Sequence, residues 1–189
     1  FDRPNGKPVW PIEDRPVPQS DAPGEKTSPT QPFPTKPPSF DRQGFSRDDV
    51  IDFTPQVREM ALRAIDGYRL GPLFTPASLV DPAKGTKGTL TFPGSGGANW
   101  EGGAFDPETG LLYVASATRT DTAVYGLTRP QPGETDIEII GTGSVAPTVE
   151  GLPIVKPLWG RITAIDLNRG EIAWQIPNGD TPPAVKDHP

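Results

Sequence analysis

The sequence predicts a mainly β fold built from repeated antiparallel hairpins and interrupted by one long insertion. Three observations predict it. An eleven-residue pattern of Asp and Gly recurs three times along the chain. Proline and glycine are abundant, 26 and 21 of 189 residues, which favours turns over long helices. Only one stretch carries the 3.6-residue spacing of an amphipathic helix.

The clearest copy of the pattern is Ala164-Ile-Asp166-Leu-Asn-Arg-Gly170-Glu-Ile-Ala-Trp174. A second is Ala104-Phe-Asp106-Pro-Glu-Thr109-Gly110-Leu-Leu-Tyr113-Val114, with Val in place of Trp. A third, Asp2-Arg-Pro-Asn5-Gly6-Lys-Pro-Val-Trp10, begins at the Asp-containing part. The Asp carboxylate can accept from backbone N–H groups two or three residues on, closing an Asx-type turn. Gly takes the positive φ that follows without steric cost. Each copy therefore predicts a β-hairpin with a short loop. Repeated four-stranded sheets with about one Trp per unit predict a β-propeller. Gly6, Gly110 and Gly170 are 104 and 60 residues apart. Blades of about 40–45 residues would be closer together, so the first gap is expected to hold a long insertion.

That insertion is placed at residues 11–100. Eleven of the first forty residues are proline, so 11–43 is expected to run as an extended loop, neither helix nor central strand. Pro29-x-x-Pro32 and Pro34-x-x-Pro37 have the spacing of an SH3-type ligand, but Trp10, Phe33, Phe40 and Phe45 favour a loop anchored on a folded surface. Thr54-Pro55 is a helix start, with Thr as N-cap and Pro in the first turn. Val57, Met60, Ala61, Ala64, Ile65 and Tyr68 then form one apolar stripe, predicting a helix over about 54–67 that ends at Gly67. Residues 72–100 read as loop with a strand at 89–92. Over 101–189 the expected strands are 103–105, 111–117, 137–140, 161–166 and 172–176, with 130–133 and 141–157 as loops.

Several chemistries are excluded. No Cys is present, so disulfides, thiolate metal sites and a Cys nucleophile are absent; the sole His, His188, is next to the last residue. The net charge of −6 argues against a nucleic-acid groove. Gly94-x-Gly96 lacks the rest of a dinucleotide fingerprint. Glu13-Asp14, among prolines, reads as a solvated pair. No stretch is long and apolar enough for a membrane-spanning helix.

The repeat resembles the tryptophan-docking motif of the quinoprotein dehydrogenases, eight-bladed propellers that use pyrroloquinoline quinone (PQQ). It is most similar to the membrane-bound glucose dehydrogenase branch. Residues carrying the likeness include Gly6-Lys-Pro-Val-Trp10-Pro, Ser28-Pro-Thr-Gln-Pro-Phe33, Gly71-Pro-Leu-Phe74-Thr-Pro76, Gly88-Thr-Leu-Thr-Phe92-Pro-Gly94 and Trp159-Gly-Arg-Ile-Thr-Ala164-Ile-Asp166. The resemblance implies a fragment of two to three blades from the later half of one propeller domain, 1–189. It also implies a parent enzyme that oxidises a sugar or alcohol by hydride transfer to PQQ, with calcium as Lewis acid. Electrons would pass to ubiquinone or a cytochrome in the periplasm, with any inner-membrane anchor lying upstream. The catalytic base and calcium ligands are expected outside these residues, so none is assigned here.

The candidate cofactor contacts are Asn99 and Trp100, within Gly96-Gly97-Ala98-Asn99-Trp100. Glycines permit close backbone approach, Asn99 offers an amide, and Trp100 offers a π face and an N–H. The competing reading is a tight turn followed by a Trp buried between blades. Trp10 and Trp174 are expected to pack between blades, and Arg161 to pair with an acid. A non-catalytic propeller scaffold is the alternative to an enzyme. Taken alone, the fragment is expected to be inactive and either marginally folded or self-associated, since its sheet edges would be open.

Overall fold

In the computed structural model the described residues are 1–92, 96–100, 102–118 and 123–188. In chain order the elements are β1 (Ile12–Pro16), β2 (Thr30–Pro34), α1 (Pro55–Ala64), β3 (Ser78–Asp81), β4 (Thr86–Lys87), β5 (Thr89–Leu90), β6 (Gly96–Gly97) and β7 (Gly103–Asp106). They continue with β8 (Leu111–Thr118), β9 (Ala123–Thr128), β10 (Ile140–Val145), β11 (Thr148–Val149), β12 (Leu152–Pro153), β13 (Gly160–Asp166), β14 (Glu171–Pro177) and α2 (Pro183–Lys186). The chain is mainly β, as its turn chemistry requires.

The repeats build one antiparallel sheet, ordered β14-β13-β8, with β6 and β7 both pairing with the far side of β8. The two complete copies of the pattern are thus neighbouring hairpins of a single sheet, not turns of successive sheets. Leu111 is in register with Asp106 on one side and Asp166 on the other, so the two turns lie side by side. Each closes as the sequence predicts. Gly110 N–H donates to Asp106 O at 2.9 Å, and Gly170 N–H to Asp166 O at 2.7 Å. The Asp106 carboxylate accepts from Glu108 N–H and the Thr109 hydroxyl; that of Asp166 accepts from Asn168 and Arg169 N–H. Leu167 N–H donates to Gly110 O, joining the turns. Gly6, in the copy at residues 2–10, donates to Asp2 O in the same way, with φ of 69° beside 75° at Gly110 and 66° at Gly170.

Trp10, from the copy at residues 2–10, packs on the turn of the copy at residues 164–174: a Cβ added at Gly170 would fall 2.7 Å from its Cζ2. Trp174 sits by register beside Ala164 and packs on Tyr113, with ring centroids 5.8 Å apart, yet is 40% exposed.

One apolar cluster joins the insertion to the later part of the chain. Phe45, Val50, Ile51, Leu90, Phe92, Val124, Ile154 and Val155 are buried there against Ala61 and Ile65 of α1. The α1 stripe is the one read from the sequence, and the Thr54 hydroxyl caps it by accepting from Val57 N–H at 3.1 Å. The helix stops at Ala64, earlier than the expected end at 67. Asp66 N–H reaches back to Arg63 O, tightening the last turn before Gly67 takes φ of 88°.

Other boundaries depart from the sequence reading. Strand 137–140 begins only at Ile140 and continues to Val145, inside the stretch 141–157 expected to be loop, which also holds β11 and β12. The strand β9 was hidden in the same way. Glycine content disguised both β9 and β10, but Gly126 is there because a Cβ would meet Val80 and Thr142 at 2.6 and 2.9 Å. The proline-rich loop contains a two-stranded ribbon, β1 with β2. Pro32 and Pro34 are two residues apart, so their missing N–H groups fall on one side of an edge strand and the ladder survives.

Candidate functional site

The edge of the β14-β13-β8 sheet beside β8 is shared by β6 and β7, and a bulge separates them. Gly97 is in register with Ala117 and Gly103 with Val114. Residues 98–100 and Gly102 therefore face only Ala115 and Ser116 on the other strand. Extra residues opposite a regular strand must arch away from the sheet, and such bulges re-aim side chains at sheet edges. Glycine makes this arch possible: Gly97 has φ of 82° and Gly102 of 65°. Gly102 N–H donates to Asn99 O at 3.1 Å and closes the turn.

Asn99 and Trp100 are thus brought together on this arch, both exposed; Trp100 is 96% exposed. Gly94 of the Gly-rich run lies outside the described residues.

Beneath the arch is a buried polar cluster. Arg161, 4% exposed, donates through Nη1 to Asp41 Oδ1 at 2.8 Å, and through Nη2 to the Thr118 hydroxyl and Leu158 O. Thr118 Oγ1 donates to the same Asp41 oxygen at 3.1 Å, as does Arg42 N–H at 2.7 Å. Arg161 does pair with an acid, as its sequence position suggested. Asp41 was not singled out: it lies 120 residues from Arg161, among prolines, and no local pattern points to it. Arg42 reaches Pro157 O at 2.7 Å and lies over the Phe92 ring. Burial is the main cause that lowers its pKa from the ordinary value. Ser39, Phe40, Leu158, Ile172 and Gln175 complete a cleft of roughly 360 Å³ around Asp41 and the two arginines. Arg161 Nε, Arg42 Nη1 and Ser116 Oγ are buried there or nearby without a protein partner.

Among the described residues no group of three or more His, Cys, Asp or Glu side chains could hold a metal ion.

The family model "PQQ: Glucose/ethanol/alcohol dehydrogenase, beta-propeller domain" matches residues 1–188. The chain belongs to that family, whose members are PQQ-dependent quinoprotein dehydrogenases, so its sheet is part of a β-propeller. It is 32% identical to the quinate/shikimate dehydrogenase (quinone) of Acinetobacter baylyi, over 95% of this chain and 24% of the relative. It is 29% identical to the glycerol dehydrogenase large subunit of Gluconobacter oxydans, over 95% and 27%. It is 30% identical to the quinoprotein glucose dehydrogenase of Escherichia coli, over 93% and 23%. The chain therefore spans about a quarter of the length of the curated relatives it matches. No solved structure matches it.

The residues present fit PQQ. An aromatic, carbonyl-rich cofactor needs a flat apolar surface and hydrogen-bonding groups at its rim. The arch presents an uncovered indole and an uncovered amide side by side, on a backbone kept slim by glycines.

Proposed function

We propose that this chain is the segment of a PQQ-dependent dehydrogenase that supplies one wall of the cofactor site, and that the enzyme oxidises a sugar or alcohol. The observation that carries the reading is the 98–102 arch, which holds Asn99 and Trp100 uncovered at the edge of the sheet. PQQ, when bound, supplies the hydride-accepting quinone, with calcium as Lewis acid and a quinone or cytochrome as the outlet for electrons. Asn99 donates and accepts hydrogen bonds at the cofactor rim. Trp100 covers an aromatic face and excludes water from it. Trp10 and Trp174 fasten this part of the chain to its neighbours in the docking arrangement of the family. The base and calcium ligands are supplied by the rest of the enzyme. The relatives' names cover quinate, glycerol and glucose, so a hydroxylated small molecule is the substrate class. A periplasmic location follows from the same reading.

The test is a PQQ titration in the presence of calcium, on the intact enzyme that carries these residues, followed by tryptophan fluorescence. Loss of one hydrogen bond at the rim is worth about 1 kcal/mol. Asn99→Ala should therefore weaken binding several-fold. Unchanged affinity would remove Asn99 from the site, and no binding by native protein would remove the whole reading.

A further inference from the structure

Resting on that reading, we propose that Asp41 is a positioning residue for the cofactor-facing arch. The arch is anchored on its N-terminal side by β6, which pairs with β8 through only two residues, Gly96 with Thr118 and Gly97 with Ala117. Both anchoring residues are glycines. They bring no side chain to pack and lose more backbone freedom than any other residue on being ordered. The pairing therefore depends on how firmly the end of β8 is held.

That end is held by Asp41. Its Oδ1 accepts from the Thr118 hydroxyl, Arg161 Nη1 and Arg42 N–H together, and Thr118 also accepts from Arg161. The other carboxylate oxygen lies against the arch itself: Oδ2 would be 3.6 Å from a Cβ placed on Gly97. Thr118 N–H donates in turn to Trp159 O, tying the same point to the start of β13. One carboxylate, 77 residues away from Thr118 in sequence, thus ties the last residue of β8 to the buried cation on β13, and it lies beside the first glycine-rich turn of the arch. It has no reach to Asn99 or Trp100 and acts through the strand that carries them.

The experiment compares native, Asp41→Asn, Thr118→Val and Asn99→Ala forms of the intact enzyme. Two quantities are read: PQQ affinity with calcium, and amide hydrogen exchange at residues 96–102 and in β13–β14. Asp41→Asn keeps the shape and removes the charge; Thr118→Val keeps the volume and removes the hydroxyl. Both should weaken PQQ binding several-fold, the factor that corresponds to one hydrogen bond's worth of misplacement. Exchange at 96–102 should quicken while β13–β14 stays protected. Should Asp41→Asn fail to fold around an uncompensated Arg161, Thr118→Val decides alone. Affinity within about twofold of native in Thr118→Val, or equal loosening of β13–β14 and the arch, would overturn the assignment. The Asn99→Ala arm separates the two ideas: an unchanged affinity there sinks the cofactor reading, whereas the exchange pattern still judges Asp41.

Discussion

The Trp10 indole occupies the space that a side chain at position 170 would need, with Cζ2 and Cε2 at 2.7 and 2.8 Å from the place of a Cβ. Gly170 is thus required twice, by its φ of 66° and by the ring above it. Gly6 has nearly the same φ, 69°, but open space around it. Gly6→Ala should cost about 1–2 kcal/mol, the strain of a left-handed residue. Gly170→Ala should cost about 1–3 kcal/mol more from the forced displacement of Trp10. Urea unfolding of the two variants in the intact enzyme measures the difference; equal losses would mean that Trp10 moves aside freely.

Arg161 is expected to be among the most sensitive buried positions. Arg161→Met leaves the partly buried Asp41 without its cation, a change expected to cost less than the about 3–5 kcal/mol of a fully buried pair. Arg161→Lys keeps the charge but cannot serve Asp41, Thr118 and Leu158 O with one planar fork, so an intermediate loss is expected. Thermal unfolding distinguishes the three forms.

Acid should loosen the proline-rich segment through Asp21. The hydrogen bond from Arg69 is the main cause that holds the Asp21 carboxyl below the usual carboxylate range. A depressed folded pKa means that the unfolded chain takes up the proton first. The stabilisation is complete above the unfolded value of about 3.9 and is lost as pH falls through the lower folded value. The pair is largely exposed, so its worth is below about 1 kcal/mol. Asp21→Asn should leave stability at neutral pH nearly unchanged and make the acid limb slightly shallower, as read from unfolding midpoints below about pH 5.

Trp100 should separate stability from binding. Its ring is 96% exposed, so Trp100→Ala should change apo-enzyme stability by less than about 0.5 kcal/mol. The same substitution should reduce PQQ affinity and abolish part of the fluorescence quenching. A large stability loss with intact affinity would place the ring in packing instead.

How much of this was legible in the sequence depended on range. The Asp–Gly turns and the α1 stripe were readable because each is closed within four residues or one helical face: Asp166 needs only Asn168, Arg169 and Gly170, and Thr54 only Val57. The pairing of the two hairpins into one sheet was not readable. It rests on Leu111 meeting two aspartates 60 residues apart, and identical turns carry no mark of which neighbour they join. The arch was found from its glycines, which local backbone geometry demands. Its clamp was not, because Asp41 gains meaning only when folding brings Thr118 and Arg161 to it. Strands β9 and β10 were missed since glycine signals loops in sequence, while Gly126 serves close contact between side chains across the sheet.

The shared register of Asp106 and Asp166 with Leu111 gathers the tight turns at one end of the sheet, while the arch stands at the other. The proposed cofactor contacts and the turn that Trp10 covers therefore lie at opposite ends of the strands. On the proposed reading, substitutions along the arch should change how tightly the cofactor is held while leaving the Asp–Gly turns at the far end of the strands intact.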